Sequence, residues 1–81
     1  MRLLYTAHFI RALDDAPRPI QKAFEKQSLL LLQNLRHPSL RAKKYSEAED
    51  RWQGRVNQDW RFYFRIVGNA YIMTDIMRHP K

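Results

Sequence analysis

The chain has 81 residues, no cysteine and a formal net charge of +7 at pH 7. A core this small leaves no apolar surplus to divide, so one domain over residues 1–81 is expected; the missing cysteines exclude disulfides, thiolate catalysis and the commonest structural zinc sites, and suit a reducing, cytoplasmic setting. The start Met1-Arg2-Leu3-Leu4-Tyr5 lacks a signal-peptide core and no apolar run nears the roughly 20 residues that span a bilayer, so no membrane role is expected, whereas the positive charge makes a polyanion, nucleic acid first, the favoured partner.

Leu3 to Tyr5 reads as a short edge strand, followed by Thr6 as the cap of a helix with Phe9, Ala12 and Leu13 on one face. The stretch Asp14 to Pro19 breaks that helix, and Pro19 fits the first turn of a second one, where a missing N–H costs nothing. Ile20, Ala23, Phe24, Leu31 and Leu35 recur at helical spacing, leaving Lys22, Glu25, Lys26 and Gln33 to solvent, until Asn34 to Pro38 ends the helix.

From Leu40 onward the period changes to two. Trp52, Gly54 and Val56 alternate with Arg51, Gln53, Arg55 and Asn57, as in a half-buried strand. After Asn57-Gln58-Asp59, Trp60, Phe62, Phe64 and Ile66 share one face of the next strand and Arg61, Tyr63 and Arg65 the other. Gly68-Asn69 supplies a tight turn, with Gly where φ must be positive, into a last strand from Ala70 to Ile76. The fold class is α+β: an N-terminal strand and a two-helix hairpin packed on a small twisted antiparallel sheet.

In this register Arg55 and Arg61 flank a short turn and face away from the apolar side. Two guanidinium groups beside one phosphate can hold it by forked hydrogen bonds and stabilise the extra charge of a pentacoordinate transition state. Lys43 and Lys44 precede the hairpin, Arg51 and Arg65 extend it, and Arg78-His79-Pro80-Lys81 follows the last strand, so the cations gather by fold. Tyr63, between Arg61 and Arg65, is placed to stack on an exposed base. Histidine as a residue type exchanges protons near neutral pH, which suits His79 to protonating a leaving oxygen.

Each residue also has an ordinary reading. Outward arginines on strands are commonly solvated or guard against edge pairing. Arg51 can pair with Glu47 or Glu49, Tyr71 and Met73 can simply cover the open sheet face, and His79 can be a plain exposed tail residue. Trp52 and Trp60 fall on the apolar phase and belong to the core, and His8 and His37 read as structural. Neither histidine spacing nor the run Glu47, Glu49, Asp50 has the spacing of metal ligands, and no Gly-rich phosphate loop, catalytic triad or dinucleotide fingerprint is present, so no cofactor is expected.

The segment from Trp52 to Ile66, WQGRVNQDWRFYFRI, together with the opening strand, the Phe-bearing first helix, the long second helix ending before Arg36-His37-Pro38-Ser39-Leu40, the Lys43-Lys44-Tyr45 lead-in and the closing Asp75 to Lys81, resembles the RelE/ParE superfamily of bacterial type II toxins along the whole chain. The resemblance implies a toxin that cuts messenger RNA without metal, usually in the ribosomal A site, by driving a ribose 2′-hydroxyl onto the adjacent phosphate. It assigns Arg61 to the scissile phosphate, Arg55 to base activation or charge stabilisation, and His79 to general acid or phosphate binding. Lys43 and Lys44 would hold the RNA backbone, with Arg51, Tyr63, Arg65, Arg78 and Lys81 extending the RNA surface. Two departures stand out: Gln53 occupies the position of a second strand lysine, and no tyrosine follows His79. The resemblance also implies a cognate antitoxin, forming a hetero-oligomer in which an acidic or amphipathic tail wraps the helices and neutralises the basic face. The ParE-like branch, which poisons DNA gyrase with the same fold, is the alternative function, and a catalytically inactive antitoxin-binding relative is the third.

Overall fold

The computed structural model describes residues 1–80, with β1 (Arg2–Tyr5), α1 (Ala7–Asp15), α2 (Arg18–Gln33), one 3-10 turn (Pro38–Leu40), β2 (Lys43–Ser46), β3 (Arg51–Arg55), β4 (Trp60–Val67) and β5 (Ala70–Arg78) in chain order. Thr6 starts α1 as its position predicts: its hydroxyl accepts from the Phe9 N–H at 3.1 Å, satisfying one orphan donor of the first turn, a cap worth about 1 kcal/mol. Gln21 closes the other end, its side-chain N–H group donating to the carbonyls of Leu13 and Ala16 at 3.1 Å each. Pro17 then bars further helix, and Pro19 sits in the first turn of α2. Leu35 lies beyond the end of α2 yet still packs on the core.

The strands form one sheet in the order β1-β5-β4-β3-β2. β2 to β5 make the expected antiparallel meander, but β1 pairs with β5 in parallel, Arg2 opposite Ala70 and Tyr5 opposite Met73, so the sheet is mixed rather than antiparallel. The helical hairpin is the long connection that lets an early strand reach the far edge in that direction.

One face of the sheet carries the helices. Phe9, Phe24, Phe62 and Phe64 form a chain of rings across it, with successive centroids 5.1, 5.4 and 5.6 Å apart, and each aromatic pair adds roughly 0.5–1.5 kcal/mol to the burial itself. Leu31, Leu40 and Met73 complete the fully buried centre. Gly54, paired with Phe62, lies where the ring of Phe62 fills the space a Cβ would need. Trp52 and Trp60 are partly buried against this core, on the face their alternation predicts.

Strict alternation fails at one place. Tyr63 faces Asp75 but Phe64 faces Met73, so Thr74 is an extra residue in β5, and its hydroxyl donates to the Tyr63 carbonyl at 3.2 Å. The bulge lets Met73 and Ile76 both enter the core while Asp75 turns to the open side. Tyr71 and Met73 are buried in the helix-covered core, not spread over the open face. Gly68 has φ 58°, the left-handed turn geometry its position predicts.

Candidate functional site

The face of the sheet away from the helices carries a cleft of about 400 Å³. Arg55 and Arg61 are direct partners across β3 and β4 and both line it, so their guanidinium groups share one surface. Lys43, opposite Gln53, comes from β2, and Arg41 enters from the residue that closes the 3-10 turn. Tyr45 and His79 complete the wall. The backbone N–H of His79 donates to the Asp59 carbonyl at 2.6 Å, which ties the segment after β5 to the turn between β3 and β4 and brings His79 to the cleft that Arg61 also lines.

The charges in this cleft are uncompensated. Among the described residues, no carboxylate lies within ion-pair distance of Arg41, Lys43, Arg55 or Arg61. Burial, and then the repulsion of Arg41 and Arg61, hold the pKa of Arg55 below its ordinary value. The Arg55 Nε is buried with no hydrogen-bond partner, a donor without an acceptor inside the protein. Arg61 is buried and anchored differently: its Nη1 donates to the carbonyls of Asn57, Gln58 and Trp60 at 2.8, 3.2 and 3.0 Å. It therefore closes the β3–β4 turn while placing its charge beside Arg55. An oxyanion entering this cleft would meet several convergent donors and relieve their mutual repulsion.

Other predicted residues lie elsewhere. Lys44 faces away from Lys43 across the strand and pairs with Asp50 at 3.0 Å and Glu47 at 3.4 Å; its hydrogen bond to Asp50, foremost, raises its pKa. Arg78 pairs with Trp60 and so alternates to the face opposite Arg61. Arg51 and Arg65 line a separate depression with Glu49, Thr74 and Asp75. Arg51 pairs with neither Glu47 nor Glu49: its guanidinium lies 4.3 Å from the centre of the Tyr63 ring, with Nη2 3.9 Å from Asp75. Tyr63 is buried under that arginine and cannot serve as an open stacking platform; burial raises its pKa. His8, read as structural, meets Asp75 at 3.1 Å, and His37 caps the 3-10 turn through Ser39 N–H. Lys81 lies outside the described residues.

Four participants escaped the sequence reading. Arg41 has φ 45°, a left-handed backbone that nothing in its local sequence signals. Tyr45 is 58% exposed and takes the open position denied to Tyr63. Gln27, on the buried face of α2, donates to the Arg55 carbonyl at 2.8 Å and to the Ser39 carbonyl at 3.2 Å, tying the cleft to the helices. Asp75, opposite Tyr63 in the sheet, stands 3.9 Å from Arg51. Among the described residues no three His, Asp or Glu side chains gather as a metal site requires.

No family model and no curated protein matches the sequence. Solved structures do match in shape. A YoeB/ParE toxin from Agrobacterium tumefaciens superposes with a TM-score of 0.82 at 12% identity, over 99% of this chain and 100% of that one. YafQ from E. coli gives 0.77 at 12% identity over 95% and 91%. A RelB-RelE antitoxin-toxin complex from Methanococcus jannaschii gives 0.74 at 18% identity over 93% and 88%. At these identities the likeness speaks for architecture, and it covers nearly every residue: the chain has the fold of the RelE, YafQ and YoeB/ParE toxins.

Proposed function

We propose that this chain is the toxin of a type II toxin–antitoxin pair and that it cleaves messenger RNA, on the ribosome, by metal-independent transesterification in the basic cleft. The observation that carries the reading is the uncompensated set Arg41, Arg55 and Arg61, converging on one cleft with His79 beside it. The 2′-oxygen attacks phosphorus while the bond from phosphorus to the 5′-oxygen breaks, giving a 2′,3′-cyclic phosphate and a free 5′-hydroxyl. The 2′-hydroxyl proton leaves to water beside Arg55, and His79, protonated beforehand, gives a proton to the departing 5′-oxygen. Arg55 and Arg61 stabilise the charge that builds on the phosphoryl oxygens, where removing one such donor costs about 10²–10³ in rate.

The partner is a cognate antitoxin, as in the RelB-RelE complex of M. jannaschii and the DinJ-YafQ complex of E. coli, two structures with this fold. An acidic or amphipathic tail on that partner would neutralise the cleft. The decisive test is purified protein on ribosome-bound message in EDTA. Cleavage with cyclic-phosphate ends is expected. An intact message, or trapped gyrase–DNA complexes without translation arrest, would overturn the nuclease reading.

A further inference from the structure

We infer that Tyr45 and Gln53 form a nucleobase subsite in the wall of the same cleft, Tyr45 stacking on a base and the Gln53 amide discriminating among bases by its edge. The inference rests on the phosphate-binding reading of Arg55 and Arg61 and adds to it the base that the phosphate carries.

Tyr45 is aimed rather than merely exposed. The pairing of β2 with β3 shifts between Lys44 and Ser46, and such an irregularity re-aims the side chain it contains. Its ring meets Tyr63 nearly edge-on, with centroids 5.5 Å apart and planes at 69°, so at least one ring face stays clear of Tyr63. Tyr63 is in turn fixed by Arg51, whose guanidinium also lies 5.9 Å from the Tyr45 centroid. The ring is thus braced by Tyr63 and Arg51 yet keeps more than half of the residue exposed, and a platform already held in place loses little freedom when a base stacks on it.

Gln53 supplies the second observation. It is only 8% exposed and lines the cleft, yet its side chain makes no hydrogen bond to any described residue. A buried amide ordinarily finds partners inside the protein. The Gln53 amide atoms are not sealed in, since the buried unpartnered side-chain atoms among the described residues are Arg51 Nε and Arg55 Nε; they keep contact with solvent at the cleft that Gln53 lines, and paired donor and acceptor groups are how amides read base edges. Trp52 and Gly54, its strand neighbours, face the core, so alternation fixes Gln53 on the cleft side.

The test measures binding of short single-stranded oligonucleotides, 2′-deoxy throughout so that they are not cut, identical except that one central base is A, C, G, T or absent. The base-bearing strands are expected to bind more tightly than the abasic strand by about 5- to 150-fold, the stacking range for one base. Tyr45→Ala should erase that ratio and Tyr45→Phe should keep it. Gln53→Leu should keep the ratio but level the differences among the four bases, with melting temperatures checked for every variant. Equal binding of abasic and base-bearing strands, or a Tyr45→Ala variant that retains the ratio, overturns the platform alone. A wild-type protein indifferent to base identity overturns the role of Gln53. No binding by any strand at low salt overturns the subsite together with the phosphate cleft on which it rests.

Discussion

Arginines sit at both ends of the open face of β3 and β4, and their surroundings differ. At the turn end, Arg55 and Arg61 face each other with Arg41 nearby, no described carboxylate within reach, and one buried donor on Arg55 unpaired. At the other end, Arg51 lies on the Tyr63 ring with Asp75 at its edge, although its Nε is likewise unpaired. The presence of arginine alone does not distinguish the two ends. What separates them is whether the protein itself answers the charge: Arg51 has a ring and a carboxylate, whereas the turn end is left electrostatically open to a ligand.

The sharpest way to break that contrast is to truncate one arginine from each end. On the proposed mechanism, Arg55→Ala lowers cleavage of ribosome-bound message by about 10²–10³, the effect of removing one donor to the phosphoryl oxygens. Its melting temperature should hold or rise, since truncation relieves repulsion from Arg41 and Arg61. Arg51→Ala should cost less than about tenfold in cleavage and lower stability through the lost stacking on Tyr63, a contact worth about 0.5–2 kcal/mol. Equal losses of cleavage in both variants would erase the distinction. Arg61 is a poorer probe, because its Nη1 also closes the turn through three carbonyls.

Gln27 sharpens the comparison from beneath. It joins α2 to the Arg55 carbonyl and to Ser39 of the 3-10 turn that delivers Arg41, and Ser39 Oγ donates back to it at 3.2 Å. Gln27→Leu leaves those carbonyls unmet, a cost of about 1–3 kcal/mol, which for a domain of this size lowers the melting temperature by roughly 4–20 °C. Nucleic-acid affinity should fall with it at temperatures where the variant is still folded, while the environment of Arg51, read by the assigned NMR ring resonances of Tyr63 and Tyr45, stays unchanged. Unaltered affinity in a folded variant would show that the helix does not position the cleft.

Much of this architecture was legible from local chemistry. Thr6, Pro19 and Gly68 each solve a backbone problem that only a few residue types solve, and the alternation from Trp52 to Ile66 placed Arg55 and Arg61 on one face. The parallel pairing of β1 was hidden because period and propensity do not encode strand direction. The bulge at Thr74 was hidden because one inserted residue inverts the phase of everything before it; strict alternation puts Asp75 correctly on the open face but carries Tyr71 and Met73 there with it, whereas both lie in the core. Lys43 and Lys44 read as one basic pair, yet strand alternation sends them to opposite faces, and only the first reaches the cleft. Arg41 and Gln27 could not be found by pattern at all: their roles arise where a turn and a helix meet the sheet.

The smallest expected effect tests the compensated end directly. Asp75 accepts from its neighbour Ile76 N–H at 2.9 Å, meets His8 at 3.1 Å and stands 3.9 Å from Arg51. In Asp75→Asn the amide oxygen can still take the Ile76 N–H, so the bulge should persist and the stability loss should stay within about 1 kcal/mol, as for partly exposed ion pairs. Arg51 then has an aromatic neighbour but no anion, which converts its end of the face toward the condition of Arg55. Affinity for single-stranded RNA should rise about two- to fivefold at low salt, with the salt dependence steepening by up to about 0.7 in the logarithmic slope, the value for one added phosphate contact on a single strand. Unchanged affinity and slope would mean that the ring of Tyr63, and not the carboxylate, keeps Arg51 from the nucleic acid; a fall in affinity would mean that Asp75 helps build the cleft instead of dividing the face in two.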